Sequence, residues 1–337
     1  MVHSPVMDAQ QTGRRRRARS VASRGLGVGD ADHHGRSMEM TQAGSVNDAV
    51  VVEVPERFDF AWAVGFLGPR AVLSIERIAA GEYRRSLRVD GRAVTLAVTL
   101  REAPAPALLV RSSPALAPEE LRALARRMFD LTANVEAFRS LAAGDAILAP
   151  LVARQPHIRL PQYGDPFEAL IRAILGQQVS VAAAATMADR LVRLVAAPAR
   201  GLDGDVFLAF PLPEMLSATP MDALRGIGLT RAKSESVLAA AVAASRMDLE
   251  SLRGMSAEEA DARLTSIRGV GPWTAAYLRM RAFGDRDAFP VSDLGIIKAM
   301  RREGIERPAE VRERAERWRP WRAYAALHLW ESLGANV

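Results

Sequence analysis

Cysteine is absent from this 337-residue chain. That absence excludes disulfides, thiolate zinc sites, cysteine-ligated iron–sulfur clusters and a cysteine nucleophile together. Lysine is nearly absent as well, with Lys233 and Lys298 its only occurrences. Histidine is sparse and scattered, at His3, His33, His34, His157 and His328. Only the adjacent pair has the look of a ligand cluster, and within a polar tail it reads as solvated. No apolar run is long enough to span a bilayer, and the N-terminus has no continuous hydrophobic segment of signal-peptide type. A cytoplasmic protein without membrane association is expected.

What is present is arginine, which makes up almost all of the basic residues and leaves a formal net charge of +6. Such a surplus favours a polyanionic partner through counterion release. Arginine content also follows genomic base composition, so the charge only supports other signals.

The length suits two or three domains with real cores. Residues 1–48 are polar and Gly-rich, carry the run Arg14–Arg17 and show no apolar periodicity, which predicts a disordered basic tail. It is either an arm with non-specific DNA affinity or an inert tail, in which case Met38 or Met40 would be alternative starts. Residues 49–116 alternate, with strands expected near 50–54, 72–78, 82–89, 92–100 and 107–112, a hairpin at Asp90-Gly91 and a short helix over 58–67. From Pro118 the pattern turns helical and stays so through residue 333, which makes 117–337 an all-α unit.

The chemistry concentrates in Leu264–Tyr277 and the nearby Phe289–Asp293. Gly269 and Gly271 flank one apolar residue and permit a turn tight enough to expose backbone N–H groups. Pro272 suits the first position of a helix, whose N-terminus would face the same anion. A second copy, Gly226-Ile-Gly228, reads as mainly architectural. Asp293 precedes an apolar-periodic segment, so a plain N-cap explains it. The same carboxylate beside a phosphate-binding hairpin could also stabilise a developing positive sugar. Trp273 and Tyr277 share one helix face, either as core or as a wall that stacks on an extruded, cationic base. Schiff-base chemistry needs a lysine beside the sugar carbon, and Trp273 occupies the place where the hairpin would present one. Base release by water, without strand cutting, is the expectation.

At these residues the chain resembles the DNA-3-methyladenine glycosylase II family, the alkylated-base members of the helix-hairpin-helix DNA glycosylases. The landmarks are Asp59–Phe66, Arg172–Ser180, Phe210–Pro213, Trp273–Tyr277, Asp293 and Trp318–Tyr324 with Trp330. The resemblance implies an α+β fold in which a TATA-binding-protein-like domain precedes a mostly α-helical glycosylase core of two subdomains. It implies Asp293 as the catalytic carboxylate, and Phe66, Trp273, Tyr277 and Trp330 as the base pocket. Gln178 falls at the wedge that fills the gap left by a flipped nucleotide, and Gly269, Val270, Gly271 and Thr274 fall at the DNA grip. No cofactor is required, although the carbonyls of Thr265, Ile267 and Val270 would hold a monovalent cation. Three positions depart from the best-known enzyme of this type: Gln178 stands for leucine, Leu294 lacks an aromatic ring, and Arg268 stands where proline is common. The implied activity is hydrolysis of the N-glycosidic bond of 3-methyladenine and 7-methylguanine in double-stranded DNA, and a monomer is the simplest expectation for an enzyme that scans duplex. The rivals are a relative acting on oxidised or deaminated bases and a non-catalytic DNA-binding protein.

Overall fold

The computed structural model describes residues 49–334, so the tail expected over 1–48 lies outside the described residues. Five antiparallel strands come first: β1 Val50–Glu53, β2 Glu76–Ala79, β3 Glu82–Val89, β4 Arg92–Arg101 and β5 Ala107–Ser113. Their order across the sheet is β1-β5-β4-β3-β2. The hairpin at Asp90-Gly91 forms as expected, with φ of 48° and 74° at the two central residues, the left-handed pair that matches strand twist. Register pairs Tyr83 with Val98 and Leu87 with Val94, which puts an apolar row on one face. On that face pack α1 Phe60–Leu67, capped by the Asp59 carboxylate, and α2 Pro118–Met128. Leu121, Leu124 and Met128 share the sheet's core, so α2 belongs with the strands rather than with the helices after it.

Two expectations need correction here. The strand predicted over 72–78 is confined to Glu76–Ala79. Val72 and Ile75 are apolar because they are buried in a helical core, while their backbone makes a turn. The region after Pro118 is also not purely helical. After α3 Val135–Ala143, α4 Leu148–Arg154, α5 Pro166–Gly176 and α6 Val181–Val195 comes a short hairpin, β6 Pro198–Arg200 and β7 Val206–Leu208. It covers the outer face of the sheet, where Thr95 Oγ1 donates to the Arg200 carbonyl at 2.8 Å. Strands of three residues carry too little alternation to register against a helical background.

The remaining helices are α7 Pro213–Ser217, α8 Met221–Gly226, α9 Arg231–Ala244, α10 Ala257–Thr265, α11 Pro272–Arg281, α12 Leu294–Arg301, α13 Pro308–Ala315 and α14 Arg322–Glu331. They build two separate cores. One gathers α5, α6 and α7 through α11 around Leu170, Ile174, Leu191 and Leu278. The other gathers α3, α4 and α12 through α14 around Phe138, Met300, Trp318 and Leu327. Tyr277 packs against both cores and so sits on the seam.

The sheet is fastened to α5 by a buried ionic cluster. Glu76 and Arg85 face each other across β2 and β3, and on α5 they meet Glu168 and Arg172. Arg172 Nη1 lies 2.9 Å from both Glu76 Oε2 and Glu168 Oε1. Burial works to raise the Glu76 carboxyl, but Arg172 and Arg85 outweigh it and hold the group down at about 2.

Candidate active site

The hairpin runs from the end of α10 to the start of α11. A reciprocal Ser256–Glu259 capping box fixes the start of α10. Gly269 then takes φ +87°, and a Cβ there would fall 2.1 Å from Ser236 Oγ. Glycine is therefore required twice over, by conformation and by space. Gly271 is ordinary extended backbone with open space around it, so the second glycine is not sterically demanded. It is the N-cap of α11, and Pro272 occupies the first helical position. The amides of Trp273 and Thr274 follow in the first turn, where helix geometry supplies no partner, which is an end of the kind that can hold an anion.

Two members of the expected DNA grip act from below instead. The Val270 N–H is used inside the turn, donating to the Ile267 carbonyl at 3.0 Å. The Thr274 side chain is buried, and its hydroxyl accepts from Gln177 Nε2 at 2.9 Å. Gln177 also donates to the Gly269 carbonyl at 2.9 Å, which ties the end of α5 to the hairpin. The other glycine turn behaves as architecture. Gly226 ends α8, Gly228 takes φ +100°, and Thr230 caps α9. One turn on, Lys233 Nζ donates to the carbonyls of Leu175 and Gln177 at 2.8 and 3.1 Å.

Asp293 is both the N-cap and the focus of a donor set. Its Oδ1 accepts from the Ile296 amide at 3.0 Å and from Trp330 Nε1 at 2.8 Å. Its Oδ2 accepts from Trp273 Nε1 at 3.0 Å. Three N–H groups from α11, α12 and α14 thus fix one carboxylate, so the expected N-cap forms and the same group is held in place at the cavity. Trp273 stacks on Tyr277 with ring centroids 5.3 Å apart and planes 18° from parallel, and Tyr277 meets Trp330 at 6.3 Å. All four residues line a cavity of about 870 Å³ between the two helical cores. Gln178 stands at its rim, exposed, with φ +57°, a conformation uncommon for a residue with a side chain. Leu294, 72% exposed, is a second apolar element at the mouth. Neither Lys233 nor Lys298 is among the lining residues.

Phe66 does not reach this cavity. Its ring is buried behind Arg70, whose guanidinium carbon lies 3.8 Å from the ring centroid. Arg70 forms the wall there, and so does Arg172. Deeper in, Arg281 is enclosed by the rings of Phe66, Tyr163 and Tyr277 at 4.9, 5.0 and 5.9 Å. Burial pushes the Tyr277 hydroxyl up, but Arg281, Arg70 and the bond with Tyr163 more than offset it, leaving the group below its ordinary value. The aromatic pocket therefore ends in arginine. Reasoning from the sequence missed both Arg70 and Gln177, because an arginine after Gly68-Pro69 is unremarkable in so arginine-rich a chain.

Known proteins resemble this chain in sequence and fold. Residues 50–165 match the AlkA N-terminal domain, and residues 171–322 match the HhH-GPD superfamily base excision DNA repair protein model. DNA-3-methyladenine glycosylase 2 of Escherichia coli is 36% identical over 280 residues, covering 82% of this chain and 95% of that protein. The DNA-3-methyladenine glycosylase of Bacillus subtilis is 30% identical over 306 residues, covering 86% and 98%. Among solved structures, the 3-methyladenine DNA-glycosylase from Archaeoglobus fulgidus superposes with a TM-score of 0.75 at 26% identity, over 85% of this chain and 99% of that one. By matched domains and by near full-length identity, the chain belongs to the DNA-3-methyladenine glycosylase family within the HhH-GPD superfamily of base excision DNA repair proteins.

Proposed function

We propose that this protein is a monofunctional DNA glycosylase of base excision repair that hydrolyses the N-glycosidic bond of flipped-out alkylated purines, chiefly 3-methyladenine and 7-methylguanine. The observation that carries this reading is the Asp293 carboxylate, bonded by three N–H donors at 2.8–3.0 Å in the wall of an aromatic cavity beside the hairpin. As the bond from the sugar to the base nitrogen breaks, its electron pair leaves with the base and neutralises the alkylated ring's positive charge. The anomeric carbon becomes positive, and a preorganised carboxylate stabilises that charge without reorganising. Water then adds to the carbon and loses its proton to solvent, leaving an abasic site and a free base. An alkylated purine already departs readily, so no general acid is needed.

The hairpin amides and Gln178 would engage double-stranded DNA, the first holding a phosphate and the second filling the emptied stack. Lysines held away from the cavity support hydrolysis without strand cleavage. The Thr265, Ile267 and Val270 carbonyls suit a monovalent cation: Thr265 ends α10, where carbonyls lack helical partners, and the singly bonded Ile267 oxygen keeps a lone pair. Bound there, the cation would neutralise charge at the phosphate. A cytoplasmic monomer completes the proposal; no helix among the described residues is long and apolar enough to cross a membrane. The test is incubation with methylated duplex DNA: free methylated purines should appear, with no borohydride-trapped adduct. Intact DNA after prolonged incubation refutes the activity, and a trapped adduct refutes the hydrolytic route.

A further inference from the structure

The cavity is not uniformly suited to a cation, because its inner end carries a guanidinium with donors to spare. Arg172 is matched by two carboxylates. Arg281 is enclosed by rings and donates to the Pro161 carbonyl at 2.6 Å and toward the Tyr277 hydroxyl at 3.4 Å. Arg70 differs from both. Its Nη1 donates to the Phe66 carbonyl at 2.8 Å, and no carboxylate pairs with it among the described residues. Burial, joined by the charge of Arg281, drags its ionisation downward, and Tyr277, Tyr163 and Glu331 offset only part of that.

The cavity has a direction. Trp273 bonds Asp293 at one end through its indole nitrogen. Tyr277, one turn along α11, stacks on Trp273 and turns its hydroxyl toward Arg281, beside Arg70. A purine whose glycosidic nitrogen meets Asp293 and whose face lies along Trp273 and Tyr277 has its far edge directed at Arg70. A guanidinium only donates. An oxygen at the 6-position of that edge completes its bonding, while a 6-amino group presents donor to donor.

Resting on the glycosylase reading above, we infer that Arg70 is a specificity-determining residue, donating a hydrogen bond to the 6-oxygen of the extruded purine and favouring 6-oxo over 6-amino lesions. The positive charge of Arg70 opposes both cationic bases, and the 6-substituent is where the two differ in hydrogen bonding to it. The α+β domain thereby contributes a reader of base identity to a cavity otherwise built by helices.

Methylated duplex DNA carries both lesion types at once and supplies an internal ratio. Single-turnover release of 7-methylguanine relative to 3-methyladenine should fall about 5-fold or more in Arg70→Met, the lower bound for losing a base-reading contact. Release of 3-methyladenine should hold or rise. Arg70→Gln, which keeps one neutral donor, should give a ratio between the two. Equal loss of both lesions, or an unmoved ratio, overturns the inference. If Arg70→Met does not fold, Arg70→Gln decides alone, and an unchanged ratio overturns it. Wild-type protein that releases neither base defeats the glycosylase reading itself, and the inference with it, an outcome visible before any variant is compared.

Discussion

Replacing Asp293 with asparagine separates the two duties of this residue. Asparagine caps helices as well as aspartate does, so its amide oxygen can still accept from the Ile296 N–H and from Trp330 Nε1, which now share Oδ1. The amide nitrogen must then replace Oδ2, where it meets Trp273 Nε1, a donor that now lies 3.0 Å from an acceptor. One donor–donor contact in a half-buried site costs roughly 1–3 kcal/mol, so the variant should fold and melt somewhat lower. Catalysis loses more. A unit charge about 4 Å from the anomeric carbon, at an effective dielectric near 20, is worth about 4 kcal/mol in the transition state. That corresponds to roughly a thousandfold in rate. Single-turnover release of methylated purines reads the chemical step, and anisotropy with a duplex containing an abasic-site analogue reads binding. Affinity should change little, because the carboxylate meets no phosphate in this proposal. Excision within tenfold of wild type by Asp293→Asn refutes the electrostatic role.

Three other predictions follow from the same geometry. Trp330→Phe keeps the ring but removes the donor at 2.8 Å from Oδ1, so excision should fall about 10-fold with abasic-analogue affinity unchanged; an unaltered rate denies the indole a part in holding the carboxylate. Gly269→Ala should cost about 1–3 kcal/mol and weaken DNA binding, because φ is +87° and Ser236 blocks the Cβ, whereas Gly271→Ala should be nearly silent; equal melting temperatures contradict the account of the turn. Asp165, whose carboxylate caps α5, is pushed up to about 7 from an ordinary 3.8 by burial and by Glu168. The unfolded chain ionises this group above about 3.8 while the fold keeps its proton until about 7. Stability therefore falls as pH rises between those values, and the deficit, up to roughly 4 kcal/mol, is complete above 7. Asp165→Asn retains the cap without the ionisation, so its melting temperature relative to wild type should climb from pH 4 to 7 and then level. A constant difference across that range contradicts the buried-proton assignment.

The elements that sequence made legible are those whose causes are local. Asp90-Gly91 sets its own turn, Pro118 and Pro272 begin helices, and Trp273 and Tyr277 share a face by spacing alone. Asp293 could be read as a cap for the same reason. What escaped was determined at long range. Residues 72–75 carry strand-like apolarity but spend it in a core shared with α5 and α6. The β6–β7 hairpin exists because the outer face of the sheet needs covering, a demand posed some hundred residues earlier in the chain. Phe66 was placed in the pocket on resemblance, yet a side chain four residues later, Arg70, comes between it and the cavity.

Arg70 also shows why a domain that contributes no carboxylate to the chemistry remains coupled to it. The residue follows α1 and hangs from the sheet side of the molecule, while the aromatic wall opposite belongs to α11. Its own carbonyl accepts from Arg172 Nη2, and Arg172 is in turn held by Glu76 of β2 and Glu168 of α5. Loosening that buried cluster would displace Arg70 before it disturbed the donors around Asp293, which come from α11, α12 and α14 alone. Disruption at Glu76 should therefore shift which lesion is preferred sooner than it abolishes excision. The sheet then acts on selectivity and the helices on rate, a division that follows from which elements supply the guanidinium and which supply the carboxylate.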